Sequence, residues 1–265
     1  MSTSYPQTGY NLYQPITVFD SGVGGITVLA QARKLLPAED FRYFADIANA
    51  PYGDKSTAQI QELMRDNCRR LYALGSKALV LACNTATSAA AAMLRQDYDL
   101  PILGLEPALK PAVLRHKRVL VMATRLTLRE KKFAALLDQV GKDAQVIPLA
   151  CPGLMEMVEE DFRSEKIYAY LRHLLEPYRG RAGALVLGCT HYVFLRRWLE
   201  ENYPCFVIYD GNTGVSQHLY TVLAQKGLLR QAETPGNILW DCSLPPGEER
   251  RSFLDKCRRD LAALA

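Results

Sequence analysis

Two stretches of this sequence present a thiol in the same setting. Ala78-Leu79-Val80-Leu81-Ala82 is an apolar run ending on Cys83, followed by Asn84, Thr85, Thr87, Ser88 and an alanine-rich segment. Ala184-Leu185-Val186-Leu187-Gly188 is a second apolar run, ending on Cys189 and followed by Thr190, His191 and Tyr192. Each run predicts a buried strand that hands its cysteine to the start of a helix, and the two cysteines lie 106 positions apart. The carboxyl ends of strands are where open α/β sheets bind ligands. A thiol with a pKa near ~8.5 is mostly protonated at neutral pH. A helix N-terminus, with its unpaired N–H groups, favours the anion. A one-unit drop costs roughly 1.4 kcal/mol, within reach of a helix end with Thr or Asn donors, so both thiols are expected to be lowered. Two such thiols facing one cavity can act as a base on one side and an acid on the other. One buried cysteine alone would read as a small hydrophobe. The repetition, with polar residues after each, favours chemistry.

Composition narrows the field. The chain has 265 residues, 49% apolar and 23% charged, as in ordinary globular domains, and its net charge of +4 is too small to argue for nucleic acid. The mixed charges from Glu248 to Arg259 predict a solvated helix face. Seven cysteines, widely spaced and without a C-x-x-C, argue against a disulfide framework and against structural zinc. That usage fits a reducing cytoplasm. Met1 to Gln14 is polar, so it is expected to be a loose extension rather than a signal peptide. No apolar run is long enough to span a membrane.

The elements that must position the thiols alternate. Strands are predicted at Ile16–Phe19, Phe41–Ala45, Ile102–Leu105, Val119–Ala123, Gln145–Leu149 and Phe206–Tyr209, besides the two cysteine runs. Helices are predicted at 26–36, 56–74, 128–139, 164–178 and 213–226, with Met155–Glu160 beginning another. The piece containing Leu239-Trp240 and a last helix complete the chain. Strand–helix alternation predicts a mainly parallel sheet. Cys68 falls on the apolar stripe of the 56–74 helix with Ile60, Met64 and Leu71, and reads as core.

Three loops have chemical content. Asp20-Ser21-Gly22-Val23-Gly24-Gly25 follows the first strand. It is G-x-G-G, not the G-x-G-x-x-G of dinucleotide sites, and no Gly-Lys-Ser/Thr follows, so NAD and a P-loop are disfavoured. A small anion near Ser21 remains, with Asp20 either titrating beside it or capping the helix. Pro51-Tyr52-Gly53 is a turn whose tyrosine can cover a polar ligand. Thr124 to Thr127 is expected to be a loop. No lysine context suggests a pyridoxal Schiff base.

These blocks together resemble glutamate racemase. They are Phe19 to Gly25, Asp46 with Pro51-Tyr52-Gly53, Ala82-Cys83-Asn84-Thr85-Ala86, Glu106-Pro107-Ala108-Leu109-Lys110-Pro111, Cys151-Pro152, and Leu187-Gly188-Cys189-Thr190-His191-Tyr192. They run in order from about residue 16 to about residue 212. The resemblance implies a cofactor-independent isomerase that interconverts L- and D-glutamate and supplies D-glutamate for peptidoglycan. The implied fold is α/β: two similar three-layer domains with mainly parallel sheets, related by pseudo-symmetry, with the site between them. The expected domains are 1–106 plus 212–265, and 107–211. Cys83 would take the α-proton of D-glutamate and Cys189 that of L-glutamate. Asp20, His191 and Glu159 would assist. Ser21, Pro51, Tyr52, Gly53, Asn84, Thr85, Thr124, Thr127 and Thr190 would bind substrate alongside them. A homodimer is implied by analogy; no metal, cofactor, nucleic acid or membrane is. The chain departs from the family pattern at Arg125-Leu126, Glu130, Phe133, Gly153, Glu156, Val193-Phe194 and Gly211, mostly beside the expected site. The alternatives are an aspartate racemase, another small-acid isomerase or decarboxylase, a binding paralogue without turnover, and a cysteine hydrolase.

Overall fold

The computed structural model describes residues 11–129, 131–139 and 144–264. Most of the expected N-terminal extension and Glu130 lie outside them. The chain divides into two compact units: everything up to Leu105 together with Asn212 onward, and Glu106–Gly211.

The first unit begins with β1 (Ile16–Asp20), α1 (Ile26–Leu35), β2 (Phe41–Ala45), α2 (Thr57–Ala73), β3 (Ala78–Leu81), α3 (Asn84–Asp97) and β4 (Ile102–Gly104). The second holds α4 (Leu109–Val113), β5 (Arg118–Ala123), α5 (Arg125–Arg129), α6 (Lys131–Gln139), β6 (Gln145–Ala150), α7 (Leu154–Asp161), α8 (Glu165–Leu175), β7 (Ala184–Leu187), α9 (Arg196–Asn202) and β8 (Val207–Asp210). The chain then completes the first unit with α10 (Asn212–Gln225), β9 (Ile238–Cys242) and α11 (Glu248–Ala262).

Among the described residues all strand pairs are parallel. The first sheet runs β4-β3-β1-β2-β9 and the second β6-β5-β7-β8. Read from opposite edges, these orders repeat: β1, β2, β3 and β4 take the places of β5, β6, β7 and β8. The internal repeat of the two cysteine runs is therefore a repeat of topology. In each sheet the chain steps to one side of its first strand and then crosses to the other, which creates a switch point beside the first and third strands. Cys83 follows β3 and Cys189 follows β7, so both cysteines leave their sheets there.

The strands form because they are apolar on both faces, as parallel sheets covered by helices require; β1, β2, β3 and β7 are buried along their whole length. The first unit's core joins Phe19, Phe44, Met64, Cys68, Leu79 and Leu81, so Cys68 is core as its spacing predicts. On α2, Ser56 and Gln59 form a capping box. Helix α1 packs on α10 and α11, and α2 on α3.

Two element readings need correction, and one unassigned piece gains an element. The segment after Thr124 is helical, not a loop, because the Thr124 hydroxyl accepts the Thr127 N–H at 3.2 Å and caps α5. The expected helix 164–178 is α8 followed by a 3-10 turn over Glu176–Tyr178; Pro177 has no N–H to continue the α-helical ladder. The Leu239-Trp240 piece is β9, an edge strand on β2 with Trp240 packed on Tyr43 at 5.7 Å.

At the other end of the first sheet lies a buried ion pair. Lys77 bonds Glu39, with both side chains essentially without solvent contact. The Lys77 ammonium also donates to the carbonyls of Leu12 and Leu228 at 2.8 Å, and Glu39 accepts the Arg230 N–H at 2.8 Å. Removing one partner of such a pair costs about 3–5 kcal/mol, because the other charge stays buried alone. Lys77→Met is therefore expected to lower the unfolding free energy by about that amount in urea titrations, and Glu39→Leu in the same chain to restore much of it.

Candidate active site

In the first unit, β1, β2 and β3 end level: Phe19 is in register with Phe44 and Leu81. One residue past Phe19, Asp20 is buried and its carboxylate accepts the Gly25 N–H at 2.6 Å, at the entrance to α1. Asp20 thus holds the glycine loop, although the helix cap itself is Gly25. Cys83 is the N-cap of α3 and its sulfur accepts the Ala86 N–H at 3.5 Å. Ser21 donates its hydroxyl to the same sulfur at 3.5 Å. Asn84 and Thr85, half-buried, open α3 directly beyond it.

The expected lowering of the Cys83 thiol does not hold. Burial pushes it up to about 12, the Asp20 carboxylate pushes in the same direction, and the Ser21, Ala86 and Thr85 donors offset only part of that. A helix end favours a thiolate by about 0.3–1 kcal/mol when exposed, which burial here outweighs. Cys83 therefore stands as a protonated acid in the ligand-free chain.

The 51–53 turn is split in exposure. Pro51 and Gly53 are exposed, while Tyr52 is buried in the core cluster that also holds Cys83. Its hydroxyl donates to Asp46 at 2.5 Å. Burial, then Asp46, holds this phenol well above its ordinary range. The tyrosine anchors the turn from beneath rather than reaching out as a cover.

In the second unit, Gly188 lies between β7 and Cys189. A Cβ there would come within 2.8 Å of the Met122 carbonyl, so only glycine lets β7 leave the sheet at this point. Cys189 is buried and extended, and a 3-10 turn over Thr190–Leu195 follows. Its sulfur lies 3.7 Å from His191 Nδ1, and His191 Nε2 lies 2.9 Å from Glu159 Oε1. With Nε2–H donating to the carboxylate, Nδ1 faces the thiol as the acceptor. Cysteine, histidine and glutamate thus form a line, the sulfur to Nδ1 and Nε2 to the carboxylate.

Glu159 comes from α7, which Gly153 starts with φ +75°, a conformation that a side chain disfavours. Helix α7 packs on the Thr190–Leu195 turn, and Phe162 stacks on Phe194 at 4.9 Å. Two departures from the family pattern, Gly153 and Phe194, thus shape the support of the Glu159–His191 contact. Phe133 is buried in the second unit's core. Thr124 and Thr127 bond each other through their hydroxyls at 2.9 Å at the end of β5. Thr190 is buried beside Cys189.

The sequence-predicted residues thus form two clusters. One joins Asp20, Ser21, Tyr52, Cys83, Asn84 and Thr85; the other joins Glu159, Cys189, Thr190 and His191, with the Thr124–Thr127 pair at the end of the neighbouring strand. Two further residues near Cys189 went unassigned by sequence reasoning. The Cys151 thiol is pushed up to about 12 by burial and by Cys189, and Tyr192 donates to the Cys151 carbonyl at 3.3 Å. Cys151 follows β6 just as Cys189 follows β7, and that signal was present in the sequence.

Replacing Asp20 by Asn removes one upward push on Cys83. The expected result is a lower Cys83 pKa and faster alkylation by iodoacetamide at pH 8, read on the Cys83 peptide by mass spectrometry. An unchanged rate would mean that Asp20 does not act on this thiol.

The family model described as Asp/Glu/hydantoin racemase matches residues 27–217. A curated glutamate racemase of Clostridium botulinum (strain Okra / Type B1) is 46% identical over 230 residues, which cover 85% of this chain and 90% of that relative. The crystal structure of glutamate racemase from Francisella tularensis in complex with D-glutamate superposes with a TM-score of 0.77 at 27% identity, covering 94% of each chain. That of the Escherichia coli enzyme, in complex with L-glutamate and the activator UDP-MurNAc-Ala, gives 0.79 at 28% identity, covering 93% of this chain and 95% of that one.

Proposed function

We infer that this chain, which belongs to the Asp/Glu/hydantoin racemase family, interconverts L- and D-glutamate and so supplies D-glutamate for peptidoglycan. The observation that carries the mechanism is the repeated placement of one cysteine after the equivalent strand of each sheet, each with its own proton-handling partners.

In the L-to-D direction, Cys189 gives its proton to His191 Nδ1, and Glu159 stabilises the imidazolium through Nε2. The Cys189 thiolate then takes the α-proton of L-glutamate. The electron pair left on Cα is spread into the carboxylate, which Asn84, Thr85 and Thr190 stabilise as neutral donors, with Thr124 and Thr127 completing the anion contacts. Cys83, protonated before the step, delivers its proton to the opposite face and becomes the thiolate. In the D-to-L direction the roles exchange: the Cys83 thiolate, favoured by Ser21 and the start of α3 and by the substrate's ammonium, takes the proton. Each transfer makes one S–H bond and breaks one C–H bond, or the reverse, and no electrons leave the system. The reading requires both thiols to reach one Cα.

No helix among the described residues is long and apolar enough to cross a membrane; action in the cytoplasm belongs to this reading through the reducing setting that the free cysteines suit. The homodimer belongs to this reading by family analogy.

Cys83→Ala and Cys189→Ala are each expected to lower racemisation by more than about a thousandfold, as loss of an acid or base partner does. Cys68→Ala, in the core behind β3, should keep the rate and lose only stability. Circular dichroism of glutamate racemisation reads all three. Normal turnover by Cys189→Ala would defeat the two-thiol mechanism. Turnover of aspartate but not glutamate would move the chain to the aspartate reading.

A further inference from the structure

One fully buried titratable group takes no part in the proton transfers. Asp46 ends the β2 side of the site with no solvent contact. Its N–H donates to the Asp20 carbonyl at 2.8 Å. On its carboxylate, Oδ1 accepts from Asn49 Nδ2 at 2.9 Å, and Oδ2 accepts from both the Tyr52 hydroxyl at 2.5 Å and Asn67 Nδ2 at 2.9 Å. These three donors are neutral. A buried carboxylate held by neutral donors depends on each of them, because losing one leaves part of its desolvation uncompensated.

Asn67 is the donor that comes from outside the loop. It lies on α2 among Ile60, Met64, Cys68 and Leu71, which are buried. Asn67 itself is half-buried, and a partly desolvated amide costs free energy unless it is bonded; its bond goes to Asp46. Asp46 in turn fixes the Tyr52 hydroxyl. The Tyr52 ring then packs near Phe19, with centroids 6.4 Å apart, in the cluster that contains Cys83. Pro51 and Gly53, exposed on either side of Tyr52, are carried by that anchor.

We propose that Asn67 is a positioning residue for proton transfer at Cys83: through Asp46 it pins Tyr52, and through Tyr52 the wall beside the thiol and the Pro51–Gly53 turn. This rests on the two-thiol reading, in which Cys83 handles the D-side proton. Small displacements of a positioned group carry large rate costs. Loss of Asn67 should therefore raise the barrier at Cys83 and leave the Cys189 step alone.

The test uses full-length protein with glutamate deuterated at Cα, offered separately as the D and L enantiomers. Asn67→Leu, of similar size and without a donor, is expected to lower kcat/KM about tenfold. The Cys83 step becomes more rate-limiting, so the ratio of the D-substrate isotope effect to the L-substrate isotope effect rises above that of the wild type. Tyr52→Phe removes the bond to Asp46 from the other side and should move the ratio in the same direction. The double variant should cost less than the product of the single losses. Should Asn67→Leu fail to fold, Tyr52→Phe carries the test with the same readout. An unchanged isotope-effect ratio with only a lower melting temperature overturns the positioning role. A wild-type chain that does not racemise glutamate overturns the functional reading beneath it, a different and earlier failure.

Discussion

The structure depends on one constraint of parallel sheets. In an open parallel sheet the crevice for a ligand lies beyond the carboxyl ends of the strands where the strand order reverses, and the next helix starts beside it. Both sheets reverse at their first and third strands, and both put a cysteine after the third. Close packing enforces the exit. A side chain at Gly25 would meet Asp20 and Ala82, and one at Gly188 would meet the Met122 carbonyl. These glycines keep the strand ends and helix entrances close enough for Asp20, Ser21 and Cys83 to meet in one unit, and for Cys189 to follow β7 in the other.

The same topology surrounds the two thiols differently. Around Cys83 the charged neighbour is a carboxylate, and burial with that negative charge holds the proton on sulfur. Around Cys189 the neighbour is a histidine backed by Glu159, and in the proposed mechanism that histidine receives the thiol proton. The asymmetry suits the proposed L-to-D reaction, in which one thiol starts as the acid and the other as the base. It also weighs against a cysteine hydrolase, which would need one Cys–His pair and would leave the Cys83 cluster without a task.

Much of this was legible in the sequence because burial in a parallel sheet demands unbroken apolar runs. Those runs located eight strands, the two cysteines and the core position of Cys68. Edge strand β9 was harder, since only Cys242 in it is buried and prolines flank it on both sides. The Cys83 proton affinity was misjudged because sequence shows a helix start but not how deeply the sulfur is buried or that Asp20 faces it. Glu159 was named only through the family resemblance, because its partner His191 is 32 positions away and only the fold of α7 onto the 190–195 turn joins them. Asn67 was passed over because its partner Asp46 is 21 positions away and only the packing of α2 beside the end of β2 joins them.

The central claim is that two thiols act from opposite faces of one Cα. It is tested most directly by following the first turnovers in deuterated water by NMR, starting from L-glutamate and, separately, from D-glutamate, with no added cofactor. The account predicts that the product enantiomer carries deuterium at Cα while the remaining substrate keeps its hydrogen. A product that retains the original hydrogen would mean that one group both removes and returns the proton, and would contradict it.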